Sequence, residues 1–112
     1  GNLAVLCALL GTPYFPPIDG AILLLEDVGE APYRVDRMLT SLQLAGVFAR
    51  ASGVLLGDFT RCEPQRDGRT VDEVLRERLG GLACPVVGGL PIGHGDTDLG
   101  FDATFRTDAP VR

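Results

Sequence analysis

Three apolar runs, "AILLLEDV" (21–28), "GVLLGDF" (53–59) and "CPVVGGLP" (84–91), alternate with two stretches of helical periodicity, and this rhythm narrows the choice of folds more than any other feature. Each run is almost uninterrupted in its apolar character, the pattern of a strand covered on both faces rather than on one. Between the first two, Val35, Met38, Leu39, Leu42, Ala45 and Val47 repeat at approximate helical spacing. Arg34, Asp36, Arg37 and Gln43 stay off that stripe, so the spacing predicts a helix from Tyr33 to about Arg50, with Pro32 suited to its first turn. Between the second and third runs, "TVDEVLRERLG" (70–80) opens on the capping-box pair Thr70 and Glu73 and closes on Gly80 and Gly81. Strand, helix, strand, helix, strand implies a parallel sheet joined by right-handed crossovers. Asn2 is placed to cap a short helix reaching about Leu10, and the prolines of "TPYFPPIDG" exclude a central strand there. "RCEPQRDGR" (61–69) reads as a polar loop. Alternation at Leu99, Phe101, Ala103 and Phe105 predicts a half-buried edge or antiparallel strand in the tail.

Composition removes several classes of function. A net charge of −5 on 112 residues disfavours nucleic acid and anionic membrane, both of which repel an acidic surface. No apolar stretch approaches the ~20 residues of a membrane span. The opening "GNLAVLCALLG" lacks the basic region and small-residue cleavage site of a signal peptide. All ten basic side chains are arginine, which excludes a Schiff-base lysine and a Ser–Lys dyad. Cys7, Cys62 and Cys84 form no Cys-x-x-Cys pair; no metal or organic cofactor is expected, and a reducing, cytoplasmic setting is.

In an open parallel sheet, ligands bind along the carboxyl ends of the strands. Glu26 belongs to the end of the first strand, Asp58 to that of the second, and His94 follows the third. His94 is the one histidine, set between Gly93 and Gly95 in "GLPIGHGD" (89–96), a turn that a partner can reach. A carboxylate bonded to imidazole fixes its tautomer and stabilises the imidazolium formed in turnover. Such a pair is half of a nucleophilic site. Spacing alone leaves Asp27 as a competitor for the carboxylate role, because adjacent strand residues point to opposite faces. Asp58 reads more readily as a turn-forming residue. Arg34 and Arg37 suit a substrate carboxylate, although pairing with Glu30 and Asp36 on a solvated helix face is the simpler reading.

The nucleophile is missing. Ser41 falls mid-helix and Ser52 just before a strand, and neither has the Gly-x-Ser-x-Gly setting of a nucleophile elbow. Cys62 is the remaining internal candidate, with Arg61 beside it to lower its pKa, but it is expected to be a bystander.

"GNL", "LLGTPYFP", "ILLLEDVGEAPYRVDRMLTSLQLAG", "GVLLGDFTRC" and "PVVGGLPIGHGD" occur in an order that resembles the C-terminal half of LD-carboxypeptidases, serine peptidases that include the microcin-immunity enzymes. The resemblance runs from Gly1 to about Asp98. It implies a swivelling β/β/α-type α/β domain with a mainly parallel central sheet flanked by helices, occupying residues 1–112. It also implies a Ser-Glu-His triad in which Glu26 and His94 are the acid and base. The serine and oxyanion donors would lie on an N-terminal domain outside this chain. The implied reaction removes a terminal D-amino acid from murein peptides without a cofactor. The implied partners are that serine-bearing domain, the murein peptide, and a second copy in a homodimer. Two alternatives accompany it: a microcin-immunity-type amidase with the same triad, and a stand-alone binding or dimerisation module without chemistry.

Overall fold

The computed structural model describes residues 2–64 and 68–88, and within them the apolar runs form a three-stranded parallel sheet. Its strands are β1 (Ile22–Val28), β2 (Gly53–Thr60) and β3 (Val86–Val87), in the spatial order β1-β2-β3. The helices are α1 (Leu3–Ala8), α2 (Pro32–Leu44), α3 (Val47–Arg50) and α4 (Val71–Leu79). Because both crossovers step the chain in the same direction across the sheet, α2 and α4 fall on the same face, where they pack against each other. Helix α1 joins that layer against α2 and β1.

Alternate strand residues fill the space beneath the helices. Leu23, Leu25, Val54 and Leu56 share one core with Leu3, Val35, Leu39, Leu42, Val74, Leu75 and Leu79. Most of these side chains are fully excluded from solvent, and each buried aliphatic side chain stabilises by about 1.5–3 kcal/mol. Ile22, Leu24 and Glu26 lie on the opposite face of β1.

The helix termini follow the local chemistry. Asn2 caps α1 by accepting from Val5 N at 2.9 Å, and its backbone bridges to Glu26 on the outer side of β1. Pro32 occupies the first turn of α2. At α4 the Thr70 hydroxyl accepts from Glu73 N at 3.1 Å while the Glu73 carboxylate accepts from Thr70 N at 3.2 Å, completing the capping box.

The long helix expected from Tyr33 to about Arg50 is instead two. It stops at Leu44, and Gly46 takes a left-handed conformation (φ 78°) before the single turn of α3 begins. Periodicity survives across the break because Val47 and Phe48 still face the core, so the apolar spacing did not reveal it. The third strand is Val86–Val87 within the described residues, and its expected continuation to 91 lies mostly outside them. The tail strand at 99–105 and the "GLPIGHGD" turn also lie outside the described residues.

Gly80 ends α4 by close approach rather than by a left-handed turn. Its φ is −66°, but a Cβ there would overlap the carbonyl oxygen of Arg76, to which Gly80 N–H donates at 2.9 Å. Gly80→Ala is therefore expected to lower unfolding stability by about 1–3 kcal/mol in urea titration. Gly81→Ala, whose new Cβ meets open space, should change it by less than about 0.5 kcal/mol.

An ion cluster ties α2 to α4. Asp36 pairs with Arg69 at 3.0 Å and with Arg78, while Arg69 also reaches Glu77 at 2.7 Å. The expected pairing of Arg34 with Glu30 is present at 2.8 Å. Asp36, however, is taken by these long-range arginines rather than by Arg37. The bond from Arg78, helped by that from Arg69, holds the Asp36 carboxyl below its ordinary range. A carboxyl with a depressed folded pKa stabilises above its unfolded pKa and loses that contribution as pH falls through the folded value. Asp36→Asn should thus cost roughly 1 kcal/mol at neutral pH and progressively less below about pH 4. Urea midpoints across pH measure the difference.

Candidate active site

The strand register breaks at the carboxyl end of the sheet. Leu25 pairs with Leu56 and Asp27 pairs with Phe59, so Glu26 on β1 faces two residues of β2, Gly57 and Asp58. Such a bulge inserts one extra residue and re-aims the side chains beyond it; bulges are rare in parallel pairs and over-represented next to active sites. Here the effect is specific. Leu56 and Phe59, three residues apart, both enter the core beneath the helices, which an unbroken two-residue alternation forbids. Asp58, preceding Phe59, is turned to the face that carries Glu26.

Two carboxylates therefore sit in adjacent strands on one face near one rim, Glu26 at 8% exposure and Asp58 at 0%. Asp58 lies inside β2 rather than in a turn after it, and Glu26 lies inside β1, which continues to Val28. The convergence expected from topology is found for these two. His94, expected as their neighbour, lies outside the described residues.

Asp27 is occupied elsewhere. Its Oδ1 accepts from Asn2 Nδ2 at 3.1 Å and from Val28 N at 2.8 Å, and its Oδ2 accepts from Ala4 N at 3.0 Å. Ala4 lies in the first turn of α1, so Asp27 satisfies a helix-terminal donor and fastens α1 to β1. Its side chain is on the helical face, opposite Glu26. A carboxylate that fastens α1 and one held on the other face thus stand side by side in sequence and on different sides of the sheet.

Cys62 belongs to the core. It is 7% exposed, its Sγ approaches Thr60 O at 3.4 Å, and burial above all pushes its thiol pKa up. A neutral buried thiol is a poor nucleophile, so Arg61 does not activate it. Cys84 is likewise pushed up by burial. Among the described residues no group of three or more His, Cys, Asp or Glu side chains could hold a metal ion. None of the described helices is long and apolar enough to cross a membrane.

The placement of Asp58 inside a bulged β2 is the feature that the sequence did not disclose. The spacing of Val54, Leu56 and Phe59 carried a signal: three core-facing residues at intervals of two and then three require one bulge between them.

Comparison with known proteins agrees with this architecture. The family model described as "LD-carboxypeptidase C-terminal domain" matches residues 1–102. A protein of Synechocystis sp. with a carboxypeptidase name is 46% identical over 115 residues, covering 97% of this chain and 38% of that protein. The crystal structure of muramoyltetrapeptide carboxypeptidase from Oxalobacter formigenes superposes with a TM-score of 0.74 at 39% identity, covering 86% of this chain and 34% of that one. The Escherichia coli microcin C7 self-immunity protein MccF is 33% identical over 95 residues, covering 84% of this chain and 28% of that protein. The chain spans about a third of the length of these relatives. With a matched family model over nearly its whole length and the parallel α/β sheet already described, the chain belongs to the LD-carboxypeptidase C-terminal domain family.

Proposed function

We propose that this chain is the C-terminal domain of a serine LD-carboxypeptidase that removes a terminal D-amino acid from murein peptides. In this reading Glu26 and His94 supply the acid and base of a Ser-Glu-His triad, and the nucleophilic serine and oxyanion donors belong to an N-terminal domain in a longer protein. The observation that carries it is the division of labour between neighbours: Asp27 is spent on α1, whereas Glu26 is held on the other face at the carboxyl rim. The share of the relatives' length left uncovered is room for the serine-bearing domain.

His94 would take the proton from the serine as it attacks the scissile carbonyl and return it to the leaving amine. Glu26 would orient the ring and stabilise its cationic form. Asp58, buried on the same face, is a positioning residue at most. The reading also places the protein in the cytoplasm, where released murein peptides would be its substrates. The test is turnover of an LD-tetrapeptide by the longer protein carrying His94→Ala, Glu26→Gln or Asp27→Asn in turn. Unimpaired turnover after the first two would refute it.

The MccF likeness supports one alternative, an amidase using the same triad on a different acyl group. Comparing an LD-tetrapeptide with an aminoacyl sulfamoyl nucleoside as substrate separates the two.

A further inference from the structure

A hollow of about 540 Å³ opens just beyond the carboxyl ends of β1 and β2, lined by Gly29, Glu30, Tyr33, Arg34, Arg61 and Glu63 among others. Gly29 follows the last residue of β1 and Arg61 the last of β2, and Gly29 N donates to Thr60 O at 2.9 Å, clamping the two strand ends together. Glu26 and Asp58 each lie three residues upstream on these strands, roughly 10 Å away along the strand direction. The hollow is thus adjacent to the candidate site and separate from its carboxylates.

Its charges are balanced but not all internally paired. Glu30 and Arg34 neutralise each other at 2.8 Å. Arg61 and Glu63, in contrast, form no ion pair among the described residues. Arg61 is also the one described residue other than glycine with positive φ, at 54°. That conformation costs an L-residue roughly 1–2 kcal/mol and persists where the surroundings over-determine it, commonly at ligand sites. Half-exposed Tyr33 adds an aromatic wall.

We infer that this hollow binds the zwitterionic head of a free α-amino acid, with its carboxylate on Arg61 and its ammonium on Glu63. A lone carboxylate would face Glu63 uncompensated, and a lone amine would face Arg61; only a ligand with both charges matches both residues. The inference rests on the carboxypeptidase reading for the ligand's origin. Hydrolysis converts the neutral amide nitrogen of the terminal residue into an ammonium group. The released amino acid therefore carries the second charge, which the same residue lacks while still in the peptide. The hollow would hold product better than the substrate's terminal residue and make the enzyme subject to product inhibition.

Calorimetric titration of the longer protein with D-alanine, D-alanine amide and N-acetyl-D-alanine tests this directly, and needs no turnover. D-alanine should bind about tenfold more tightly than either analogue, each of which lacks one charge. Arg61→Ala should abolish the preference over the amide and keep that over the N-acetyl compound; Glu63→Gln should do the reverse. Equal affinity for the three ligands, absence of D-alanine binding, or preferences unaltered in both variants would overturn the inference. A loss of tetrapeptide hydrolysis would bear on the carboxypeptidase reading alone, because these affinities are measured without chemistry.

Discussion

His94→Ala in the longer protein is expected to cut turnover of an LD-tetrapeptide by about 10⁴-fold or more while leaving the urea midpoint nearly unchanged. The proposed base does two jobs, accepting the serine proton and protonating the leaving amine, and no second histidine exists in this chain to replace it. Glu26→Gln removes the charge that would stabilise the imidazolium and favours the wrong tautomer, so a loss of roughly 10³–10⁴ is expected. The effects should not add in the double variant, because a dyad acting as a unit fails when either member is lost. Asp27→Asn provides the contrast. It disturbs three hydrogen bonds that hold α1 on β1 and should cost about 1–3 kcal/mol of stability, with kcat far less affected than in the other two. Kinetics and urea unfolding on the same three proteins separate the outcomes. A Glu26→Gln enzyme with normal kcat would transfer the acid's role elsewhere, with Asp58 the next carboxylate on that face.

The 112-residue chain by itself should hydrolyse no LD-tetrapeptide above the uncatalysed rate, and activity should appear when it is joined to a serine-bearing N-terminal domain. An acid and a base without a nucleophile cannot form the acyl-enzyme, and without oxyanion donors they cannot stabilise the tetrahedral intermediate. Removing one such donor costs about 10²–10³ in rate, and loss of the nucleophile costs more still. Neither serine of the chain nor Cys62 is set up to substitute. Ser41 Oγ donates to Arg37 O at 3.1 Å and Ser52 Oγ to Gly20 O at 2.7 Å, both in structural bonds. Cys62 is buried with its pKa raised. The assay compares the chain alone, the longer protein, and the longer protein with its serine replaced. Hydrolysis by the chain alone would end the split-triad proposal.

Much of this protein is determined by the order of its residues. The runs at 21–28 and 53–59 could only be buried strands, since so many aliphatic side chains need cover on both faces. Asn2, Pro32 and the Thr70–Glu73 pair mark helix starts by local hydrogen-bonding chemistry that acts within four residues. The parallel order followed, because helical crossovers leave little other choice. Other features needed the tertiary structure. The break at Gly46 keeps the apolar stripe intact, so periodicity passes over it. That Asp27 fastens α1 while Glu26 takes the opposite face depends on which side of β1 receives α1, a contact between residues more than twenty positions apart. Asp36 likewise finds Arg69 and Arg78 across the helix layer, where a local reading offers only Arg37. Asp58 joins Glu26 only because β2 bulges by one residue against β1, and a bulge is a property of two paired strands rather than of either alone. Local sequence set the elements, since capping and burial act at short range; their meeting at the rim was decided by packing between distant segments.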